Sequence, residues 1–372
     1  MAYIHWFDDA SHAARGHEAQ VAELGGKNAS LVIMTSAGMP VPPGFAVTAD
    51  AYRRVFREAG LSERVAAALE GVDVTDTEQV KVAGAQVRSL ITDTDLPAWL
   101  ADEVRAAYGE LARRCSDEQV GVAVRSSATS EDAPDASFAG EHDTYLWVRG
   151  GDDVLTMLKR CWASLFTDRA ITYRREMGHG DDGAAMSVGV QKMVTPRTAG
   201  VAFTLNPTNG DRSQVAIDAS WGLGEAVVSG SVTPDNFLVD KVMGQVTSRV
   251  ISDKHIEHRL GADGRVAEVD VEPGRRTEAC LTDDEVRSVA ALARRAEKHY
   301  GCPQDVEWAL DSQLPDGQNI VLLQARPETV WSRKPRTSPL NGVAHDTFRS
   351  IVATLLDGHQ GQTNELHGHT HG

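Results

Sequence analysis

The residues with the clearest chemical potential lie between Val124 and Thr144, in the segment VRSSATSEDAPDASFAGEHDT. It begins with one cation, Arg125, continues with six Ser or Thr hydroxyls, and reaches a small-residue turn at Gly140. Hydroxyls and open backbone N–H groups replace the hydration of an anion, and glycine allows close approach of the backbone. The segment is therefore predicted to be a flap over a polyphosphate, with a plain surface loop as the alternative.

Lys27 and Arg125 are cations at positions suited to phosphate oxygens. Lys27 follows two glycines and is predicted to open a helix, where unpaired N–H groups and the positive end of the helix dipole favour an anion. Its spacing is not that of a P-loop, which places Ser or Thr directly after the lysine. Arg125 is predicted to lie at the end of a strand, where its planar guanidinium suits either two phosphate oxygens or a structural ion pair.

Glu307 and Gln324 are polar residues inside the short apolar strands DVEWAL and NIVLLQA. Burial of an unpaired carboxylate is costly, and a magnesium ion that bridges the phosphates of ATP would satisfy Glu307 and use the oxygen of Gln324. Arg326 follows two residues later, shares the strand face of Gln324 and would reach a phosphate. A salt bridge between Glu307 and Arg326 without a ligand is the alternative.

Gln191 and Lys192 are neighbours in the predicted strand VGVQKMV, where adjacent side chains point to opposite faces. We expect one of them to face a ligand pocket and the other to face solvent, an alternation that any half-buried strand also has. Thr204, Asn206 and Glu225 lie at predicted strand ends, where tight turns are the alternative to a binding role.

The elements that must position these residues change in type along the chain. Helical spacing of apolar residues dominates the first half, with predicted helices over about 25–39, 48–57, 78–92, 97–114 and 152–175. The Pro-rich segment VPPGFAVT is predicted to be a break between the first two of these helices. From Met186 short β-rich runs separated by turn residues take over, followed by a helix over about 282–300 and two last strands. This order predicts an α+β protein with more than one lobe.

Length and composition limit the classes to which the protein can belong. The 372 residues are 41% hydrophobic and 24% charged, as in ordinary globular proteins, and no apolar run reaches a membrane-spanning length. The N-terminus carries acids where a secretory signal carries Lys or Arg, so a cytoplasmic protein with four reduced cysteines is predicted. The net charge of −16 argues against nucleic-acid and anionic-membrane partners, and it requires clustered cations and metal ions around any anionic ligand.

The sequence resembles the ATP-binding domain of the phosphoenolpyruvate synthase, pyruvate phosphate dikinase and rifampin phosphotransferase family. The matching segments, in family order over about residues 15 to 332, are GGKNASL, VPPGFAVT, VRSSATSED, SFAGEHDT, QKMV, AGVAFTLNP, GLGEAVVSG with TPD, DVEWAL and LLQARPET. The resemblance implies an ATP-grasp fold with a helix-rich N-terminal lobe (1–190) and a strand-rich C-terminal lobe carrying the metal site (191–332), with ATP between them. The tail 333–372 contains an amphipathic segment that would dock a partner. Its His-rich end, HGHTHG, is interpreted as solvated, with metal binding as the alternative.

The resemblance also implies roles for individual positions. Glu141 departs from the family, which commonly has Gln after SFAG, and this adds a negative charge to the flap. By position, the resemblance assigns phosphate binding and catalysis to Lys27, Arg125 and Arg326, and the flap over the phosphates to Gly140 and Thr144. It places Gln191 near the adenine and assigns Mg²⁺ binding to Glu307 and Gln324.

The function implied by the resemblance is phosphoryl transfer with conversion of ATP to AMP and phosphate. The sequence contains no counterpart of the family's relay-histidine segment, its phosphoenolpyruvate-binding barrel or its antibiotic-binding domain. We therefore expect the ATP-binding subunit of a split phosphotransferase, similar to phenylphosphate or methylbenzyl phosphate synthase, that acts in aromatic compound degradation. A partner subunit would carry the swivelling phosphohistidine domain and pass the phosphoryl group to a small, aromatic alcohol or phenol. The alternatives are a non-catalytic ATP-binding module and a carboxylate–amine ligase, whose acceptor site the sequence does not reveal.

Overall fold

The computed structural model describes residues 3–9, 11, 15–129, 143–176, 178 and 185–331. By its internal contacts the chain divides after Glu328, and all the elements given below belong to the first unit, Met1–Glu328. The remainder begins at Thr329 and is described only as far as Trp331. In the described part of the chain, no helix has both the length and the apolar character needed to cross a membrane.

The first half of the chain builds a five-stranded antiparallel sheet with helices around it. Its strands are β1 (Ile4–Trp6), β2 (Gly44–Val47), β3 (Val122–Ala128), β4 (Thr144–Val148) and β5 (Met186–Lys192). They lie in the order β1-β2-β5-β3-β4. The helices are α1 (His17–Ser36), α2 (Ala49–Glu58), α3 (Leu61–Leu69), α4 (Thr77–Thr92), α5 (Ala98–Arg114), α6 (Gly151–Ala163) and α7 (Asp168–Glu176), with a 3₁₀ turn at Ser164–Phe166.

The second half builds a six-stranded antiparallel sheet and a two-stranded ribbon. The sheet contains β6 (Pro196–Phe203), β7 (Gln214–Trp221), β8 (Asp235–Asp240), β9 (Val246–Val250), β12 (Gln304–Asp311) and β13 (Ile320–Pro327), and the ribbon contains β10 (Ile256–Leu260) and β11 (Val266–Asp270). The order in the sheet is β13-β12-β6-β7-β8-β9. The helices of this half are α8 (Glu225–Val228), α9 (Pro273–Arg276) and α10 (Asp283–Tyr300).

Local signals explain where the longer helices begin and end. The side chain of Thr48 accepts a hydrogen bond from the N–H of Ala51 at the start of α2, as the sequence predicts. Thr282 and Glu285 form a reciprocal capping box at the start of α10, and Gly301 ends that helix in the left-handed conformation. Caps of this kind satisfy the N–H and C=O groups that a helix leaves unpaired at its ends.

Helix α1 connects the two sheets. It is two helical segments joined at Gly25, whose φ of 68° and ψ of 167° are not helical. The segment after the kink lies against β3 and β5 of the five-stranded sheet and against β13 of the six-stranded sheet. The Ser30 hydroxyl, for example, donates to the backbone oxygen of Ala325 on β13 at 2.8 Å.

Two large apolar clusters hold the protein together. One joins the five-stranded sheet to α2–α7 and contains Trp162 and Phe166. The other joins α1, α10 and the six-stranded sheet and contains Phe237 and Trp308. All four aromatic side chains are at most 1% exposed. Burying this much apolar surface supplies most of the stabilisation of the fold.

The α+β prediction is confirmed, and the structure corrects two of the predicted elements. The helix predicted over 152–175 is interrupted at 164–167, because Ser164 and Thr167 end the hydrogen-bond ladder between α6 and α7. The Pro-rich segment VPPGFAVT, predicted as a break, contains strand β2, which pairs with β5. The predicted lobe boundary after residue 190 lies within β5.

Candidate functional site

Arg125 reaches from one sheet to the other. It lies on β3, and its Nη1 donates to the backbone oxygen of Leu323 on β13 at 3.1 Å. Its Nη2 donates to Oε1 of Gln324 at 2.6 Å and lies 3.7 Å from Oε2 of Glu307. The side chain is only 16% exposed, so this guanidinium is held between the sheets by three oxygen atoms.

Glu307 and Gln324 are direct neighbours across the β12–β13 pair. A register irregularity between Glu307 and Trp308 follows immediately on β12. Irregularities of this kind locally bend a strand and re-aim its side chains. Both side chains approach Arg125 from the same strand pair. The sequence predicted that this carboxylate and this amide would lie close together.

Arg326 pairs with Asp305 rather than with Glu307. The register places Asp305 opposite Arg326, and Arg326 Nε lies 3.3 Å from Asp305 Oδ2. The structure therefore does not contain the alternative Glu307–Arg326 salt bridge, because the register sets Glu307 opposite Gln324 and its nearest cation is Arg125 of the other sheet. Arg326 is 52% exposed and its guanidinium is accessible at the edge of the strand pair.

Asp305 is a site residue that the sequence reasoning missed. Its Oδ1 is buried and has no hydrogen-bond partner among the described residues. Burial raises the pKa of its carboxyl above the ordinary value, and Arg326 draws that pKa down in part. The available signal was its spacing: Asp305 stands two residues before Glu307 on a strand, hence on the same face.

The oxygens of Glu307 and Gln324 beside Arg125, with Asp305 on the same strand as Glu307, suit a magnesium ion bound together with phosphates. Magnesium binds one or two carboxylates and fills its remaining positions with water and phosphate oxygens. Glu307, Gln324 and the unpartnered Oδ1 of Asp305 are oxygen donors of this type. In the part of the chain that the structure describes, there is no group of three or more His, Cys, Asp or Glu residues that could hold a metal ion.

Lys27 lies in the first turn after the Gly25 kink and is half-buried. The prediction that a glycine turn opens its helix segment agrees with this geometry. The Lys27 ammonium is close enough to Cys161 to oppose the rise in the pKa of that thiol, which burial and Asp143 cause. The residue after Lys27, Asn28, donates its backbone N–H to Ser127 Oγ, so Lys27 lies beside β3.

Thr144 begins β4 and is the cross-strand neighbour of Arg125. It lines a cavity of about 520 Å³ between β4, α6 and the β10–β11 ribbon. His258 also lines this cavity, with Nδ1 3.7 Å from Glu225 and Nε2 3.4 Å from Glu268. The sequence reasoning missed His258 and Glu268, because the fold alone brings the ribbon beside β4. Gly140 and Glu141 lie outside the described residues.

Gln191 and Lys192 differ in burial, as their predicted alternation requires. Gln191 is 3% exposed, and its Nε2 donates to the backbone oxygen of Pro42 at 3.3 Å. Lys192 is half-buried, and its N–H donates to Pro43. The amide of Gln191 thus lies beside the loop before β2, close to the point where the chain passes from one sheet to the other.

Two of the strand-end residues have structural roles. Thr204 Oγ1 accepts from the N–H of Gln304 at 2.7 Å, and Asn206 Oδ1 accepts from the N–H of Thr208 at 3.0 Å. These contacts are those of tight turns and strand ends, the alternative considered for them. Glu225 differs, since it lines the cavity beside Thr144.

These features define a class of protein in which two antiparallel sheets are joined by an arginine of one sheet that contacts oxygen atoms of the other. Residues 21–345 match the model of the pyruvate phosphate dikinase AMP/ATP-binding domain, so the chain belongs to this family.

Named relatives agree with this assignment. A probable phosphoenolpyruvate synthase of Staphylothermus marinus is 44% identical over 94% of this chain and 44% of its own length. The phosphoenolpyruvate synthase of Pyrococcus furiosus is 41% identical over 88% of this chain and 44% of its own. That of Pseudomonas aeruginosa is 44% identical over 85% of this chain and 41% of its own. The chain therefore spans less than half the length of these relatives.

Proposed function

We propose that the protein is an ATP-grasp nucleotide-binding domain that holds magnesium-ATP between its two sheets. The observation that carries this proposal is Arg125, which reaches from the five-stranded sheet to Gln324 and Glu307 on the six-stranded sheet. A cation held among oxygens in this way can exchange part of its contacts for phosphate oxygens. Membership of an AMP/ATP-binding family supports the same ligand.

In this proposal three cations bind the triphosphate from different elements. Lys27 approaches from α1, Arg125 from β3 and Arg326 from β13. Phosphoryl transfer asks mainly for positioning and for neutralisation of charge, which fixed cations provide without reorganising during the reaction. Thr144 and Gly140 would cover the phosphates, and Gln191 would lie toward the adenine.

Glu307 and Gln324 would hold Mg²⁺, with Asp305 as a further oxygen ligand. When bound, the ion neutralises phosphate charge and fixes the orientation of the phosphates. Glu307 is also the acid nearest to Arg125, so it orients the guanidinium before the nucleotide arrives. Because Glu307 has both roles, its metal role is tested by the change in magnesium dependence and not by the loss of affinity alone.

Glu307→Gln should lower the affinity for magnesium-ATP about tenfold, because an amide of equal size loses the charge that attracts the ion. Calorimetric titrations with magnesium and with a chelator measure this effect. The wild-type chain should bind ATP more weakly in chelator, and the variant should show little difference between the two conditions. Glu63→Gln, on the exposed side of α3, is the matched control. Equal magnesium dependence in wild type and Glu307→Gln would contradict the metal assignment.

We further propose that the domain phosphorylates a histidine on a partner subunit, which passes the phosphoryl group to a small alcohol or phenol, an aromatic acceptor being one option. The overall change balances as ATP, water and histidine giving AMP, phosphate and phosphohistidine. The name phosphoenolpyruvate synthase, which the relatives carry, supports phosphotransferase chemistry. A non-catalytic ATP-binding module is the second candidate, and the intact set of cations and oxygen ligands argues against it.

The purified chain alone should bind ATP but form no phosphorylated alcohol or phenol, since the proposed relay histidine belongs to another subunit. Adding a purified phosphohistidine domain of the same family should start the release of AMP, followed by chromatography of the nucleotides. A mixture in which the domain's histidine is replaced by alanine is the control. Efficient product formation by the single chain would overturn the relay, and ATP binding without AMP release in any mixture would favour the non-catalytic module.

A further inference from the structure

Asn28, directly after Lys27, ties the start of its helix segment to two strands. Its backbone N–H donates to Ser127 Oγ on β3 at 3.2 Å, and its Nδ2 donates to Ser187 Oγ on β5 at 3.0 Å. Ser187 in turn donates to the backbone oxygen of Val47 on β2 at 2.8 Å. Asn28 is 1% exposed, so these hydrogen bonds are shielded from water.

Two glycines allow this close approach. A Cβ atom on Gly25 would lie 2.1 Å from the backbone oxygen of Ser127, and Gly25 also has the positive φ that favours glycine. A Cβ atom on Gly189 would lie 2.3 Å from Oδ1 of Asn28. Only glycine at both positions lets the turn before Lys27 rest directly on the strands.

The strands that Asn28 contacts are the ones that carry and flank Arg125. Gly189 is the cross-strand partner of Arg125, and Ser127 follows Arg125 by two residues, about 7 Å along β3. The hydrogen bonds of Asn28 therefore set the position of Lys27 relative to Arg125. Two cations that share one anionic ligand need such a fixed separation, because a displacement of about 1 Å at a group that positions the ligand can lower the reaction rate on the order of 100-fold.

We propose that Asn28 is a positioning residue that holds Lys27 at the distance from Arg125 that a polyphosphate requires. This inference rests on the proposed function, in which both cations bind the phosphates of ATP. It assigns the second residue of the Lys27–Asn28 pair to the geometry of the site rather than to helix stability alone.

A double-mutant cycle on the whole chain tests this inference, with magnesium-ATP affinity measured by calorimetry. Asn28→Ala should weaken binding about tenfold when Lys27 is present and by less than about twofold in the Lys27→Ala background. A residue that only stabilised the fold would give the same factor in both backgrounds. Ser187→Ala removes the acceptor of the Asn28 side chain, and the backbone N–H of Asn28 keeps its bond to Ser127 in both variants, so we expect a loss of similar size with the same dependence on Lys27.

Thr35→Ala is the matched control, because among the described residues the Thr35 hydroxyl bonds within α1, to the backbone oxygen of Leu31. It should leave ATP affinity unchanged. Thermal denaturation reports whether each variant is folded, and the Ser187→Ala cycle decides the question if Asn28→Ala is not. Equal losses in both backgrounds would overturn the positioning role while leaving the proposed function standing. Wild-type affinity in Lys27→Ala alone would instead show that the phosphate assignment of Lys27 is wrong.

Discussion

Arg125→Ala should weaken magnesium-ATP binding roughly 10- to 150-fold, the loss expected from about 1.5–3 kcal/mol for a charged hydrogen-bonding group. The guanidinium lies among Leu323, Gln324 and Glu307, so its removal leaves Glu307 without its nearest cation. The uncompensated carboxylate then repels phosphate and adds to the lost attraction. Calorimetry of the whole chain with ATP and magnesium measures the change.

Arg125→Lys separates charge from geometry in the same experiment. Lysine keeps the positive charge but cannot contact several oxygens with a planar fork, so an intermediate loss is expected. Arg105→Ala, whose side chain is 49% exposed and pairs with Asp102 and Asp152 on the helical surface, should bind ATP as the wild type does. If Arg125→Ala also binds with wild-type affinity, the triphosphate does not lie where we place it.

Lys254→Met should lower the free energy of unfolding by about 3–5 kcal/mol, the loss typical when one partner of a buried ion pair is removed. Lys254 Nζ lies 2.6 Å from Asp235 Oδ1, and both side chains are fully buried. Asp235 also accepts from the N–H groups of Ser252 and Cys280, so this carboxylate joins β8 to the segments before β10 and α10. Methionine fills the space but leaves the acid without its cation.

Denaturant titration followed by circular dichroism measures this loss of stability. Lys81→Met is the matched control, because Lys81 is 65% exposed and its pair with Glu78 should contribute at most about 1 kcal/mol. A loss from Lys254→Met as small as that of the control would show that the hydrogen bonds from Ser252 and Cys280 suffice to hold Asp235.

Patterns within a single element predicted much of the fold. Capping residues and apolar spacing located α2, α4, α5 and α10 to within one or two residues, because these signals act over one or two helical turns. The short strands β1, β2 and β4 and the ribbon β10–β11 were not predicted. Each has at most five residues and owes its strand conformation to pairing with another strand.

The candidate site shows the same division. Glu307, Gln324 and Arg125 could be named from residue type alone, since a carboxylate or amide inside an apolar strand and a cation beside a hydroxyl-rich loop are unusual in any context. The family resemblance, stated for about residues 15 to 332, is confirmed by the match of the family model over residues 21–345. Asp305 could have been added by its spacing from Glu307, whereas His258 and Glu268 have no local signal.

Motifs along the chain were thus enough to identify the family, and residue types were enough to predict which groups would bind a phosphorylated ligand. Which acid pairs with which arginine, and how Asn28 sets Lys27 against β3 and β5, depended on strand register and on the packing of α1 across both sheets. Asp305 and Arg326 are 21 positions apart, whereas the Arg125–Glu307 contact and the hydrogen bonds of Asn28 join residues nearly 100 or more positions apart. A choice among distant partners is made by the summed burial and hydrogen bonding of whole elements, which no local pattern encodes.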